Sequence, residues 1–197
     1  METQADIRSL EAQLNAADRD ALLLVAGLSP EQGVWQPAAG SWSVAECLEH
    51  LAVSNRAYIG AMQPAAGRAR AEGRVRRGAA NPGLLGGLFA KLLEPPARRG
   101  FRIKAPPSIV PRRGATLAEA FAAFAAAQED VRAFLLNNAD LDLAGVTFAN
   151  PFIGGVRFSL ATGLNVITVH ERRHLWQASR VREAVIGGVD PLPIVRV

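Results

Sequence analysis

The sequence predicts an all-α protein, a four-helix bundle with one long crossover between its second and third helices. Three observations carry this reading. Apolar residues recur at steps of three and four over four long segments, two of those segments open with capping boxes, and strand-type alternation is scarce. With 197 residues and 49% hydrophobic side chains, the chain is expected to form one domain over 1–197 and to bury an extensive core.

The first helix rests on Ile7, Leu10, Leu14, Ala17, Ala21, Leu24 and Leu28, one apolar seam that ends near Gly27 and Pro30. The second opens at Ser43-Val44-Ala45-Glu46, where hydroxyl and carboxylate satisfy free backbone donors reciprocally. Its stripe runs Val44, Cys47, Leu48, Leu51 and Tyr58 and fades near Pro64. Residues 65–113 are rich in Gly, Pro and Arg and hold one short apolar piece, Leu84 to Leu93, which reads either as a short helix closing over a site or as a connection. Thr116-Leu117-Ala118-Glu119 opens the third helix, with Leu117, Phe121, Phe124, Val131 and Leu135 inward and a stop around Asn137-Asn138. Asn150-Pro151 and Gly154-Gly155 mark a turn-rich connection. Ser159 then opens the last helix, which runs through roughly Val185.

The lone cysteine, Cys47, excludes an intramolecular disulfide framework and suits a reducing compartment. Acids stand near the N-terminus where a signal peptide carries bases, and no apolar run approaches the roughly 20 residues of a spanning helix. The expectation is a soluble cytoplasmic protein with no membrane partner. A net charge of +4 and a pI near 10.2 raise nucleic acid as a partner. The arginines, however, cluster between Arg68 and Arg113 with only Phe89 and Phe101 as stacking aromatics and no recognised motif. That segment reads as a solvated loop, and nucleic acid is not the expected partner.

The chemistry concentrates in three histidines. His170-Glu171-Arg172-Arg173-His174 is an H-E-x-x-H run inside the last helix, and positions four apart share a face, so both imidazoles can grip one ion. On a helical wheel His170, Glu171 and His174 fall with Leu160, Leu164, Ile167, Ala178 and Val181, while Arg172, Arg173 and Trp176 face away or sideways. His50, at the edge of the second helix's stripe beside Cys47 and Ser54, supplies a third imidazole. Together these make a candidate site for a divalent ion such as Zn, Ni or Fe. An inward carboxylate needs a partner, which makes Glu171 the candidate general base or orienting group. Satisfied core histidines are the structural alternative, and Cys47 reads as a small core hydrophobe. The same motif occurs in zinc peptidases, but no histidine follows His174, which leaves Glu183 and Asp190 as downstream acids, and the strand-rich peptide cradle is missing.

Val34-Trp35-Gln36-Pro37, followed by Trp42-Ser43 and a helix that reaches His50-Leu51, resembles the opening signature of the DinB-like superfamily. His170 and His174 with Leu175-Trp176-Gln177 are similar to its second signature. The similarity in order and spacing covers about residues 5 to 185 and is weakest in the middle. The resemblance implies a four-helix bundle with the long second-to-third connection, and a metal held by His50, His170 and His174. Members include S-transferases and isomerases that use low-molecular-weight thiols, and several form dimers. The expected function is therefore that of a metal-dependent enzyme of the thiol S-transferase or hydrolase class, acting on a small molecule, with a low-molecular-weight thiol as candidate cofactor and a homodimer as candidate assembly. The alternative is a non-catalytic, metal-binding or stress-responsive interaction protein.

Overall fold

The computed structural model describes residues 5–95, 106–111 and 114–188. Helix α1 (Ala5–Val25) is followed by a single turn of helix, α2 (Pro30–Val34), then α3 (Val44–Ala71). The crossover carries α4 (Gly83–Leu93) and a 3-10 turn at Pro107–Ile109 before α5 (Leu117–Asn137). A small antiparallel hairpin, β1 (Thr147–Ala149) and β2 (Arg157–Ser159), leads into α6 (Leu160–Gly187).

The buried apolar side chains form two clusters, and these give each helix its direction. One holds Ile7, Leu10 and Leu14 of α1, Tyr58 to Ala69 of α3, Val131 to Leu135 of α5 and Leu160 to Val169 of α6. The other holds Ala17 to Leu24, Val44 to Leu51, Leu117 to Phe124 and Leu175 to Val181 of the same helices. Helices α1 and α6 therefore run from the first cluster to the second, and α3 and α5 run back. Around the bundle α3 packs on α5 and α6, and α1 packs on the other side of the same pair. Because α3 and α5 are parallel neighbours, their connection must return the full length of the bundle.

Both predicted capping boxes form. Ser43 Oγ accepts from Glu46 N at 3.1 Å while Ser43 N donates to Glu46 Oε2 at 2.8 Å, and Thr116 and Glu119 reproduce the pattern at 3.2 and 2.9 Å. A further box at Ser29 and Gln32 starts α2. One boundary differs from the sequence reading: α3 continues through Pro64 to Ala71 instead of fading there. Proline inside a helix costs about 3 kcal/mol. Beyond it, however, Ala65, Ala66 and Ala69 are buried in the first cluster, and that packing outweighs the lost backbone bond.

The hairpin reaches the core through Phe148, whose ring packs over Gly163 of α6. A Cβ on Gly163 would lie 2.9 Å from that ring and 2.9 Å from Met62 Sδ, so the close crossing needs a residue without a side chain. The short apolar piece at 84–93 is a helix, and it lies against α6. Among the described residues no helix is long and apolar enough to cross a membrane.

Candidate metal centre

At the junction of the two apolar clusters the core turns polar. Ser54 and Asn55 of α3, Gln128 of α5, and Glu171 and His174 of α6 are all buried there, as is His50 one turn earlier on α3. On the α3–α6 side of this layer the three histidines meet. One ring nitrogen from each of His50, His170 and His174 lies within 4.8 Å of the others. The rings contact edge to face, with centroids 4.5 Å apart for His50–His174 and His170–His174 and 5.0 Å for His50–His170. Trp42, from the loop before α3, closes one side, its ring 4.6 Å from that of His50 and 5.6 Å from that of His174.

His50 has a defined tautomer. Its Nδ1 lies 2.7 Å from the carbonyl oxygen of Ile109, and since a carbonyl only accepts, Nδ1–H is the donor. Nε2 is left with its lone pair turned toward His170 Nε2, 3.2 Å away. His174 Nδ1 is buried with no hydrogen-bond partner among the described residues. Burial lowers all three imidazole pKa values, that of His50 to about 4. His170 and His174 are lowered further by neighbouring imidazoles and by the Arg173 charge. At neutral pH the three rings are uncharged, the state that ligates a cation. Converging lone pairs, an orphaned buried nitrogen and an all-imidazole donor set fit a divalent transition-metal ion, with Zn, Ni and Fe all compatible with the ligand type.

The histidines form one wall of a cavity of about 250 Å³. Tyr58 and Val166 of the bundle, Phe89 and Leu93 of α4, Pro106 and Ile109 of the crossover, and Asn150, Phe152 and Ile153 of the hairpin loop complete it, with Arg173. A broader groove of about 900 Å³ lies along Trp42, Gln36 and Val110 but reaches none of the histidines.

A model of the DinB superfamily matches residues 13–178. The chain belongs to that superfamily. Neither the curated proteins nor the solved structures give a match. In this DinB-superfamily bundle the three histidines singled out by sequence come together, while Glu171 takes a different position. It is fully buried but is not among the residues lining the cavity. Its Oε1 accepts from Asn55 Nδ2 at 2.7 Å, and burial pushes its carboxyl up to about 8. Cys47 is sealed in the core and burial pushes its thiol well up, so it stays protonated. Glu183 pairs with Arg180 at 2.6 Å on the surface, and Asp190 lies outside the described residues.

Arg173 corrects the wheel. It was expected to face away or sideways, yet it is 8% exposed and lines the cavity. The wheel assumed one inward stripe, whereas α6 is packed by α1, α3, α4 and β2 and so is covered on most of its circumference. The basic crossover also resolves in part. Arg70 and Arg74 pair with Asp140 and Asp142, and Arg76 with Asp6, while Arg98, Arg99, Arg102, Arg112 and Arg113 lie outside the described residues, as does Phe101. Sequence reasoning missed Asn55, Ile109 and Tyr58. Asn55 is a polar residue on an otherwise apolar stripe and offered a signal. Ile109 acts through its backbone carbonyl and offered none.

Proposed function

We propose that this DinB-superfamily chain is a divalent-metal-dependent enzyme for a small organic substrate, of the thiol S-transferase or hydrolase class, with His50, His170 and His174 as the ligands. The observation that carries this reading is the convergence of three neutral imidazoles at the wall of a cavity large enough for a small molecule. When bound, such an ion supplies Lewis-acid chemistry, lowering the pKa of a water or a thiol that binds it.

The chain's own residues do the rest. The Ile109 carbonyl fixes the His50 tautomer and ring orientation, as partners of ligating histidines commonly do. Phe89, Leu93, Phe152 and Ile153 give the pocket an apolar lining. Glu171 is assigned a positioning role: through Asn55 it ties α6 to α3 beside the ligands, which keeps His50 opposite His170. A low-molecular-weight thiol is the candidate second cofactor.

Metal content by mass spectrometry on untagged protein tests this reading, with the wild type beside His174→Ala. Near one ion per chain, lost in the variant, supports it. No ion in either, after reconstitution with Zn or Ni, makes the histidines structural and favours a non-catalytic interaction protein. Calorimetric titration with glutathione, bacillithiol and mycothiol then separates thiol transfer from hydrolysis, because binding to none of them leaves hydrolysis as the class.

A further inference from the structure

Arg173 lines the cavity and has no part in the metal reading. A guanidinium keeps its charge at every pH a protein tolerates and carries five N–H donors. Among the described residues Arg173 makes one hydrogen bond, from Nη1 to the Leu93 carbonyl at 3.5 Å, at the long limit for such a bond. No described carboxylate pairs with it. Two other arginines of α6 find side-chain partners, Arg172 in Glu94 and Gln13 and Arg180 in Glu183, while Arg182 donates to the Ala26 carbonyl at 3.0 Å, a shorter bond than the one Arg173 makes. Burial, with no carboxylate to oppose it, lowers the Arg173 pKa. A buried charge without a counter-charge destabilises a fold. Its place in a cavity wall gives it a use that a surface arginine would not have.

The surroundings define the ligand. Phe89, Leu93, Phe152, Ile153 and Val166 make the cavity largely apolar, and among the described residues that line it Arg173 is the one arginine or lysine. Tyr58 supplies a second donor. Its hydroxyl oxygen accepts from Asn150 Nδ2 at 3.4 Å, so its own proton is free to point elsewhere, and burial pushes the phenol up to about 12, which keeps that proton in place at neutral pH. The planar guanidinium fork matches the two oxygens of a carboxylate, and the Tyr58 hydroxyl in the same cavity lining supplies a further donor.

We infer that Arg173, with Tyr58 as second donor, binds the carboxylate of a small, mostly apolar organic acid in this cavity and presents the acid's remaining functional group to the histidines. The anion site stands without a metal. Only the direction in which the acid lies rests on the metal reading.

The test is calorimetric titration of the full chain, as purified, with benzoate, phenylacetate and hexanoate, using benzamide as the neutral counterpart of benzoate and glutathione as a carboxylate carried by a thiol. The variants are Arg173→Met and Arg173→Gln, with metal content measured in every sample. The expected result is that at least one simple acid binds the wild type, that both variants weaken it tenfold or more, and that benzamide is insensitive to the substitution. Without ligand, Arg173→Met should melt at or above the wild type because it removes an isolated buried charge, and the acid should raise the melting temperature of the wild type alone. Should Arg173→Met fail to fold, Arg173→Gln carries the same expectation. Equal acid affinity in wild type and variant overturns the proposal, as does dependence on Arg173 for glutathione only, or no binding of any acid. Arg173-dependent binding by a chain that holds no metal upholds the anion site while the metal reading fails. Full metal content with Arg173-independent binding gives the reverse.

Discussion

The Nδ1 of His50 donates to the carbonyl oxygen of Ile109 across 2.7 Å, joining the second long helix to the crossover that would otherwise only return the chain to the start of the third. This bond decides which nitrogen of His50 faces the other two histidines, so the crossover takes part in building the site as well as covering it.

The first prediction concerns that tautomer. Long-range proton–nitrogen NMR on the metal-free protein at pH 7 should show His50 protonated at Nδ1 and bare at Nε2, and Zn addition should shift Nε2. A spectrum with the proton on Nε2 would remove the Ile109 contact from the account. Because the ring is buried and its pKa is lowered to about 4, the assignment should persist unchanged down to about pH 5.

The stability of the metal-free protein should peak at about pH 7. As pH falls through 6.5 the unfolded chain protonates its histidines, whose ordinary pKa is 6.5, while the folded chain resists: burial holds His50 at about 4, and His170 and His174 well below the usual value. Stability is therefore lost as pH falls from 6.5, at about 1.4 kcal/mol per pH unit for each proton. Glu171 acts with the opposite sign. Its folded carboxyl sits at about 8 against 4.5 ordinarily, mainly through burial. Asp18 of α1 adds to the rise, while the Asn55 bond and the charges of Arg172 on α6 and Arg132 on α5 oppose it. The folded state thus holds a proton that the unfolded state has released, and stability falls as pH rises from 4.5 to 8. At pH 6.5 the three half-protonated imidazoles of the unfolded chain still outweigh one carboxyl, the two effects balance at about pH 7, and above that the carboxyl dominates. Chemical denaturation across pH 5 to 8.5 measures this, and Glu171→Gln should abolish the alkaline decline. A decline that persists in that variant would place its source elsewhere.

Glu171 and Asn55 also make a paired prediction. The Glu171 carboxyl, protonated near neutrality, and an amide have nearly the same shape, so Glu171→Gln should cost little at pH 7. Asn55→Ala leaves a buried carboxyl without its donor and should cost about 1–3 kcal/mol, or roughly 2–4 °C per kcal/mol in a domain of this size. Positioning is separable from mere structural support by metal affinity: Asn55→Ala should weaken Zn binding beyond what its melting temperature explains, and Asn55→Asp should not restore it. Unchanged Zn affinity in Asn55→Ala would leave the pair as core structure only.

The difference between what could be read from the sequence and what could not follows from where the information resides. Ser43 with Glu46 and Thr116 with Glu119 are side-chain patterns of fixed spacing, and they locate the starts of α3 and α5 because the same atoms close both hydrogen bonds. The three histidines were legible for a similar reason, one pair by helical spacing and the third by family resemblance. Three-residue strands are too short to show a period, and the continuation through Pro64 depends on tertiary packing that no local rule weighs. Ile109 contributes a carbonyl that every residue has. Arg173 was misplaced because a wheel shows one inward face, whereas the crossover helix α4 lies on α6 and creates another.

The last prediction sets two glycine substitutions against each other. Alanine is about 1 kcal/mol better than glycine inside a helix. At Gly67 of α3, exposed and with nothing within 4 Å of an added Cβ, Gly67→Ala should realise that gain and raise the melting temperature by roughly 2–4 °C. At Gly163 the same methyl meets the Phe148 ring and Met62 Sδ at 2.9 Å. Overpacking of a filled core costs about 1–3 kcal/mol, which offsets the propensity gain and leaves Gly163→Ala neutral to about 2 kcal/mol destabilised. Met62 is flexible and can yield, whereas Phe148 is held by the hairpin register Phe148↔Phe158, so the strain should pass into the hairpin. Hydrogen exchange should then show faster opening of residues 147–159 in Gly163→Ala and no change there in Gly67→Ala. A Gly163→Ala protein that gains as much stability as Gly67→Ala would mean that the hairpin does not rest tightly on α6, and the loop that carries Asn150, Phe152 and Ile153 to the cavity would lose its anchor.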